Sequence, residues 1–196
     1  MKKLILASGS QSRREILSTT GYPFSVEPSN YEEDMTLKMS PADLAVFLSV
    51  GKARDVAKRH NDAVILAADS FAVFDEKLLG KPHTKERAVE MLSMLSGKCH
   101  SFVTGFTIID AENKNEYSES VESKVCFKDL TPVQIDAYIE SDDVLDKAGA
   151  YTVQGPGSDR IISRIEGDEN NVMGLPLERV KLALRGFGID LNSTKN

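Results

Sequence analysis

The sequence predicts an α/β protein built on a mixed β-sheet with flanking helices. Three observations carry that expectation. Leu4 to Ala7 is a short apolar strand that runs into the small-residue turn Ser8-Gly9-Ser10, then into a helix burying Ile16 and Leu17. Ala63-Val-Ile-Leu-Ala-Ala68 is a continuous apolar run of strand length, the pattern of a central strand covered on both faces. Helical and strand segments alternate through the rest of the chain, with one long hairpin in the middle.

The 196 residues suit one domain, or one domain with two lobes, over 1–190, with 191–196 as a frayed tail. A formal charge of −6 argues against long-range attraction to nucleic acid or an anionic membrane. A polyanionic ligand therefore needs a local basic cluster. The two cysteines, Cys99 and Cys126, lack metal-type spacing and are expected to be free thiols, buried or half-buried, in a reducing compartment. The apolar run after Met1-Lys-Lys3 is too short for a signal peptide, and no segment reaches membrane-spanning length. A cytoplasmic location is expected, where the sequon Asn192-Ser-Thr194 has no role.

Taken in order, the first turn leads a helix whose N-terminus presents unpaired backbone N–H groups and positive dipole. Ser8, Ser10 and Ser12 can donate hydroxyl hydrogen bonds, and Arg13 and Arg14 can fork onto phosphate oxygens. A phosphate cradle and a plain capped helix with solvated arginines both stay open here. No P-loop pattern occurs. Residues 22–39 read as loop with a short strand, Phe24 to Val26. The acidic run Tyr31-Glu-Glu-Asp34 is a solvated face or a source of metal ligands. Ser40-Pro-Ala-Asp43 starts a helix to about Arg59, with Leu44, Val46, Phe47, Leu48 and Val56 on its apolar side. Gly51 in its interior costs about 1 kcal/mol against alanine, which suggests close packing.

Asp69 is expected at the carboxyl end of the 63–68 strand, where α/β sheets place ligands. A second short strand, Phe71 to Phe74, turns at Asp75-Glu-Lys77, and Leu79-Gly-Lys-Pro82 forms a rigid loop carrying Lys81. Thr84 caps a helix bearing Ala88, Met91, Leu92 and Leu95, closed by Gly97. His100 to Asp110 and residues 117–128 make the hairpin, with Thr104-Gly105 as a bulge or a close approach. Thr131-Pro-Val-Gln134 opens a helix to about Ser141. Then come a loop to Tyr151, a short strand Tyr151 to Gln154, a strand Arg160 to Ile165, and a last helix, Leu177 to about Arg185.

Several glycine-bearing loops each hold one ionisable or amide residue: Arg13 and Arg14, Lys52, Asp69, Lys81, Lys147 and Gln154. Converging, they would form a basic pocket around one carboxylate. The cations would offset a polyphosphate, and the carboxylate would bind a metal or activate water. The three histidines show neither triad nor ligand spacing; His83 is read as a loop residue.

The stretches Leu6-Ala-Ser-Gly-Ser10 with Arg13-Arg14, Lys52-Ala53, Ala68-Asp69-Ser70, Gly80-Lys-Pro82, Leu95-Ser-Gly97, Thr104-Gly105, Asp146-Lys-Ala-Gly-Ala-Tyr151, Gln154-Gly155 and Asn171-Val-Met-Gly-Leu-Pro176 together resemble the Maf family of nucleotide pyrophosphatases. The resemblance covers nearly the whole chain. It implies an elongated mixed sheet with a deep cleft between two lobes, shared with the inosine triphosphate pyrophosphatases. It implies hydrolysis of a nucleoside triphosphate to the monophosphate and pyrophosphate with Mg²⁺ or Mn²⁺, in a cytoplasmic homodimer that removes non-standard nucleotides or restrains division. By the same resemblance Asp69 is the proton acceptor, and Ser8, Ser10, Arg13, Arg14, Lys52 and Lys81 lie on the phosphate side. Glu33 helps Asp69 hold the metal, and Ser12, Ser70 and Gln154 set base preference.

This chain departs from the family pattern at Gln11, where proline is usual, and at Ser12. Members that prefer 7-methyl-GTP carry tryptophan at the Ser12 position, and a serine cannot stack on a methylated purine. Ser70 and Gln154 resemble the dTTP/UTP group, whose arginine at the Ser12 position is absent. The expectation is therefore UTP, dTTP or modified pyrimidines, with 7-methyl-GTP as the alternative substrate. A non-catalytic nucleotide-binding regulator of cell division is the alternative class.

Overall fold

The computed structural model describes residues 2–155 and 157–191. Of the expected tail only Leu191 is described, and it is buried; the remainder, with the sequon, lies outside the described residues. Pro156 lies outside them too. The strands are β1 (Lys3–Leu6), β2 (Phe24–Val26), β3 (Ala63–Phe74), β4 (Lys77–Leu79), β5 (Cys99–Asp110), β6 (Glu116–Phe127) and β7 (Ile162–Glu166). The helices are α1 (Gln11–Ser18), α2 (Pro41–Ala57), α3 (Lys85–Leu95), α4 (Pro132–Ser141), α5 (Ser158–Ile161), α6 (Glu169–Val172) and α7 (Leu177–Arg185). The sheet order is β2-β1-β3-β5-β6-β7, with β4 also paired to β3. β1 pairs in parallel with β2 and β3, whereas β3–β4 and β6–β7 are antiparallel, so the sheet is mixed as expected. No helix among the described residues is long and apolar enough to cross a membrane.

The chain divides into two compact units: 1–70 with 104–121 and 174–196, and 71–103 with 122–173. In the first, alternate residues along three strands and just past their ends (Ile5, Ala7; Ala63, Ile65, Ala67; Ile109, Ala111) form a core with Ala53 and Val56 of α2. The intervening residues Leu4, Leu6, Val64 and Leu66 are buried as well. The continuous apolar run thus belongs to a strand covered on both faces. The α2 stripe is Leu44, Ala45, Leu48, Ser49, Ala53 and Val56, and Phe47 falls off it, 42% exposed.

Gly105 of β5 sits against the α2 backbone, so a Cβ there would overlap Ala45 and Val46. This is the close approach that Thr104-Gly105 suggested. Beside it Ser49 and Thr107 share a buried hydroxyl hydrogen bond of 2.7 Å. Gly105→Ala should cost about 2–3 kcal/mol in urea unfolding, because helix and strand backbones must separate. Unchanged stability would show that the contact is soft.

The second unit packs Ala88, Met91, Leu92 and Leu95 of α3 with Ile135 and Tyr138 of α4 and with Phe102, Val125, Phe127 and Tyr151. Thr84 caps α3, and Thr131 with Gln134 makes the capping box of α4. Both starts match the sequence signals.

Several expectations change. The strands placed at 63–68 and 71–74 are one strand, β3, because Asp69 and Ser70 continue the extended backbone. β4 forms where a turn at Asp75-Glu-Lys77 and a loop from Leu79 are expected, since three residues are too few to show alternation. Asp75 and Glu76, both at positive φ, make the two-residue hairpin turn before it. Tyr151 to Gln154 is not a strand: the Thr152 N–H donates to the Tyr138 hydroxyl at 3.0 Å. The strand expected at Arg160 is preceded by the short α5, and β7 begins at Ile162. Cys99 and Cys126 are joined in a disulfide, not free, because neighbouring strands bring their Cα atoms within 3.9 Å.

His100 is 4% exposed, its Nε2 is 2.9 Å from the Tyr151 hydroxyl, and its ring meets Phe127 and Tyr151 edge-on. Burial pushes its pKa down to about 4 from 6.5. The folded state therefore favours the neutral ring. That contribution is complete above pH 6.5 and is lost as pH falls through 4, about 3 kcal/mol in all. Urea unfolding should show stability falling over this window in wild type and a flatter profile in His100→Phe. Parallel profiles would assign the loss to other groups.

Candidate active site

β1 ends at Leu6 while β3 runs on, with Ala7 N–H still donating to Leu66 O at 2.8 Å. Residues 8–10 turn away at that level, and Asp69 stands on β3 beyond the end of β1. Asp69 is thus mid-strand in β3 yet past the carboxyl end of the adjoining strand, the position where α/β sheets hold ligands.

The turn is tied to the first turn of α1. Ser10 N–H donates to Ser8 Oγ at 3.2 Å, and Arg13 N–H to Ser10 Oγ at 3.4 Å, which makes Ser10 the N-cap. Arg13 folds inward. Its Nε donates to Gly174 O at 2.8 Å, Nη1 to Ser8 Oγ at 3.2 Å and Nη2 to Ser70 Oγ at 3.0 Å. A guanidinium has five N–H groups, so two remain for a ligand. Burial lowers the Arg13 pKa from its ordinary value, and Asp69 and Glu33 pull it back up, so both carboxylates act on it. Gly174, whose carbonyl accepts the Arg13 Nε bond, has φ +103°, a conformation that favours glycine.

A second knot lies on α2. Lys52 Nζ is 2.9 Å from Asp69 Oδ1 and 2.7 Å from Glu33 Oε1. Asp69 is 8% exposed, and its Oδ2 is buried with no hydrogen-bond partner among the described residues. A buried carboxylate oxygen in that state is costly unless something fills the place opposite it. The loop carrying Glu33 is docked on α2. Asp55 Oδ2 accepts from Ser29 Oγ at 3.1 Å and Asn30 N–H at 2.9 Å, and the Tyr31 ring lies on Gly51, where a Cβ would overlap it. The Asn30 N–H above all holds the Asp55 carboxyl below its usual range.

Of the residues singled out from sequence, Ser8, Ser10, Arg13, Glu33, Lys52, Asp69 and Ser70 all lie in the first unit, in two sets of contacts: Ser8, Ser10 and Ser70 on Arg13, and Glu33 and Asp69 on Lys52. Ser70 is engaged by Arg13 and lies 3.0 Å from the Thr104 hydroxyl. Ser12 is half-buried on the first turn of α1. Arg14 is exposed and lines a separate pocket with Ser18, Tyr22, Phe24 and Val26. Lys81 and Gln154 belong to the second unit, and both are exposed. Lys147 is exposed in that unit too.

The partners that sequence reasoning missed are Thr104, Gly174 and Asp55. The first two fell within quoted motif stretches, but nothing local tells that Gly174 meets Arg13 from 161 residues away. The donor set fits a divalent metal in part. Mg²⁺ and Mn²⁺ take hard oxygen ligands, and Mg²⁺ commonly uses one or two protein carboxylates with water and phosphate completing the shell. Asp69 Oδ2 and Glu33 supply such oxygens. No group of three or more His, Cys, Asp or Glu able to hold a metal gathers among the described residues.

Comparison with known proteins gives the chain's family and fold neighbours. The family model described as Maf-like protein matches residues 3–187. A protein of Bacillus anthracis named dTTP/UTP pyrophosphatase is 42% identical over 191 residues, covering 97% of this chain and 98% of its own length. One of the same name from Moorella thermoacetica is also 42% identical, with the same coverage. Among solved structures, a HAM1 protein from Coxiella burnetii shares the fold, with TM-score 0.54, 15% identity and coverage of 95% of this chain and 100% of that one. The Staphylococcus aureus Ham1 protein gives TM-score 0.50 at 16% identity, covering 82% of this chain and 80% of its own. A match over 185 residues and near full-length relatives at 42% identity lead to one conclusion: the chain belongs to the Maf-like protein family.

Proposed function

We propose that this protein hydrolyses UTP and dTTP to the monophosphate and pyrophosphate. The observation that carries the reading is the 42% identity, over almost the whole chain, to proteins named dTTP/UTP pyrophosphatase. The first unit's geometry supports it. A triphosphate brings about four negative charges, and Lys52 and the two remaining Arg13 N–H groups offer cationic donors for them. In the free protein Lys52 is held between Glu33 and Asp69. An incoming polyphosphate competes for that ammonium and leaves the Asp69 carboxylate to accept a proton.

Asp69 is the carboxylate of this reaction. A water oxygen bonds to the α phosphorus, the bond from that phosphorus to the α–β bridging oxygen breaks, and the water's proton passes to Asp69. Pyrophosphate leaves with the electron pair. A divalent cation held by Asp69 and Glu33 would neutralise phosphate oxygens and acidify the water. Arg13 is fixed by Gly174, Ser8 and Ser70 before substrate arrives, so it loses little freedom on binding. Lys81 on the phosphate side and Gln154 at the base, where it can pair donor and acceptor with a pyrimidine edge, complete the proposal.

A substrate panel tests it. Purified protein with Mg²⁺ or Mn²⁺ is offered each common triphosphate, 5-methyl-UTP, pseudo-UTP and 7-methyl-GTP, and pyrophosphate release is read. The expected result is release from the uracil and thymine nucleotides. Selective turnover of 7-methyl-GTP, or binding without turnover, would overturn the reading.

A further inference from the structure

We propose that Cys99 and Cys126 are a redox-modification site. Hydroperoxides take the pair from a dithiol to the intramolecular disulfide seen here. Three neighbouring strands of the second unit build it. Cys99 opens β5 and is exposed; Cys126 lies on β6 and is 2% exposed; Arg164 on β7 pairs in register with Cys126. The Arg164 guanidinium turns back across β6, and its Nη2 lies 3.9 Å from Cys99 Sγ. Its Nε donates to Glu166 Oε1 at 2.8 Å in an exposed ion pair.

The two thiols therefore have different duties. In the reduced protein a guanidinium beside Cys99 favours the thiolate, and exposure admits the oxidant, the setting in which a cysteine becomes a redox target. Cys126 is shielded and adjacent, as a resolving thiol must be. The Cys99 thiolate attacks one peroxide oxygen, the O–O bond breaks, and the other oxygen leaves as hydroxide or alkoxide, which is protonated. This gives a sulfenic acid on Cys99. The Cys126 thiol then attacks that sulfur, forming S–S and expelling water. In sum, two thiols and one hydroperoxide give a disulfide, an alcohol or water, and one further water. A dithiol reductant reverses it.

The crosslink closes a sequence separation of 27 and clamps the base of the β5–β6 hairpin. His100 and Phe127, the next residues on each strand, carry the edge-on contacts to Tyr151. Oxidation therefore braces the core of the second unit. The cysteines belong to the second unit and the Asp69 cluster to the first, and the thiol chemistry uses none of that cluster's residues, so the inference stands or falls apart from the proposed hydrolysis.

The test uses the whole chain, reduced with dithiothreitol, freed of reductant and exposed to hydrogen peroxide. Intact mass should fall by about 2 Da with loss of both alkylatable thiols and no intermolecular product. Melting should rise by roughly 5–10 °C as the reduced state's extra chain freedom is removed. In Cys126→Ser, dimedone should trap a sulfenic acid on Cys99. In Arg164→Gln the crosslink should form roughly five-fold more slowly. Persistent free thiols, disulfide-linked dimers, or an Arg164→Gln rate equal to wild type would each overturn the proposal.

Discussion

Asp69→Asn should fold normally and lose turnover by about a hundred- to ten-thousand-fold. Asparagine matches aspartate in shape, so β3 keeps its packing. Its amide oxygen can still face Lys52, whose second partner, Glu33, remains at 2.7 Å. What disappears is the charge and the unpartnered Oδ2, which becomes an amide and can neither accept a proton from water nor bind a cation. The melting temperature should move little, because the site where the amide falls already lacks a partner. Pyrophosphate release under saturating nucleotide, with circular dichroism as the fold control, decides it. Wild-type kcat in the folded variant would remove Asp69 from the chemistry.

The second large effect is expected at a residue with no chemistry of its own. Gly51→Ala should lower kcat/KM by about ten- to a hundred-fold with little loss of stability. Alanine favours the helix by about 1 kcal/mol over glycine. Its methyl group, however, would occupy the place of the Tyr31 ring. The ring must leave, and with it moves the segment between Asn30, held by Asp55, and Glu33, held by Lys52. Displacements of an ångström at a reacting centre cost on this scale. Tyr31→Ala should show a similar loss, and the double variant should be no worse than either single change, since both break one contact. Additive losses would mean that Gly51 and Tyr31 act separately.

Much of the fold was legible because its signals are local. Ser40-Pro-Ala-Asp43 and Thr131-Pro-Val-Gln134 name helix starts through hydrogen bonds made within four residues. Ala63 to Ala68 names a buried strand because both of its faces are apolar. Misreadings fell where a distant partner decides. Thr152 gives its N–H to Tyr138, so no strand forms there. The cysteines looked like free thiols because spacing along the chain does not show which strands lie side by side.

By itself, the sequence determined an α/β chain with a serine-rich turn before a helix, an acidic residue directly after an apolar strand-forming run, and a scatter of cations on glycine-bearing loops. The tertiary structure alone decided which of these act together. It turned Arg13 inward onto Gly174 and left Arg14 outside with Tyr22 and Phe24. It set Lys52 between two carboxylates 36 residues apart in sequence, and it paired Cys99 with Cys126 under Arg164. Capping and periodicity are written within a few residues, whereas a site is an encounter between segments that only the packed chain brings together.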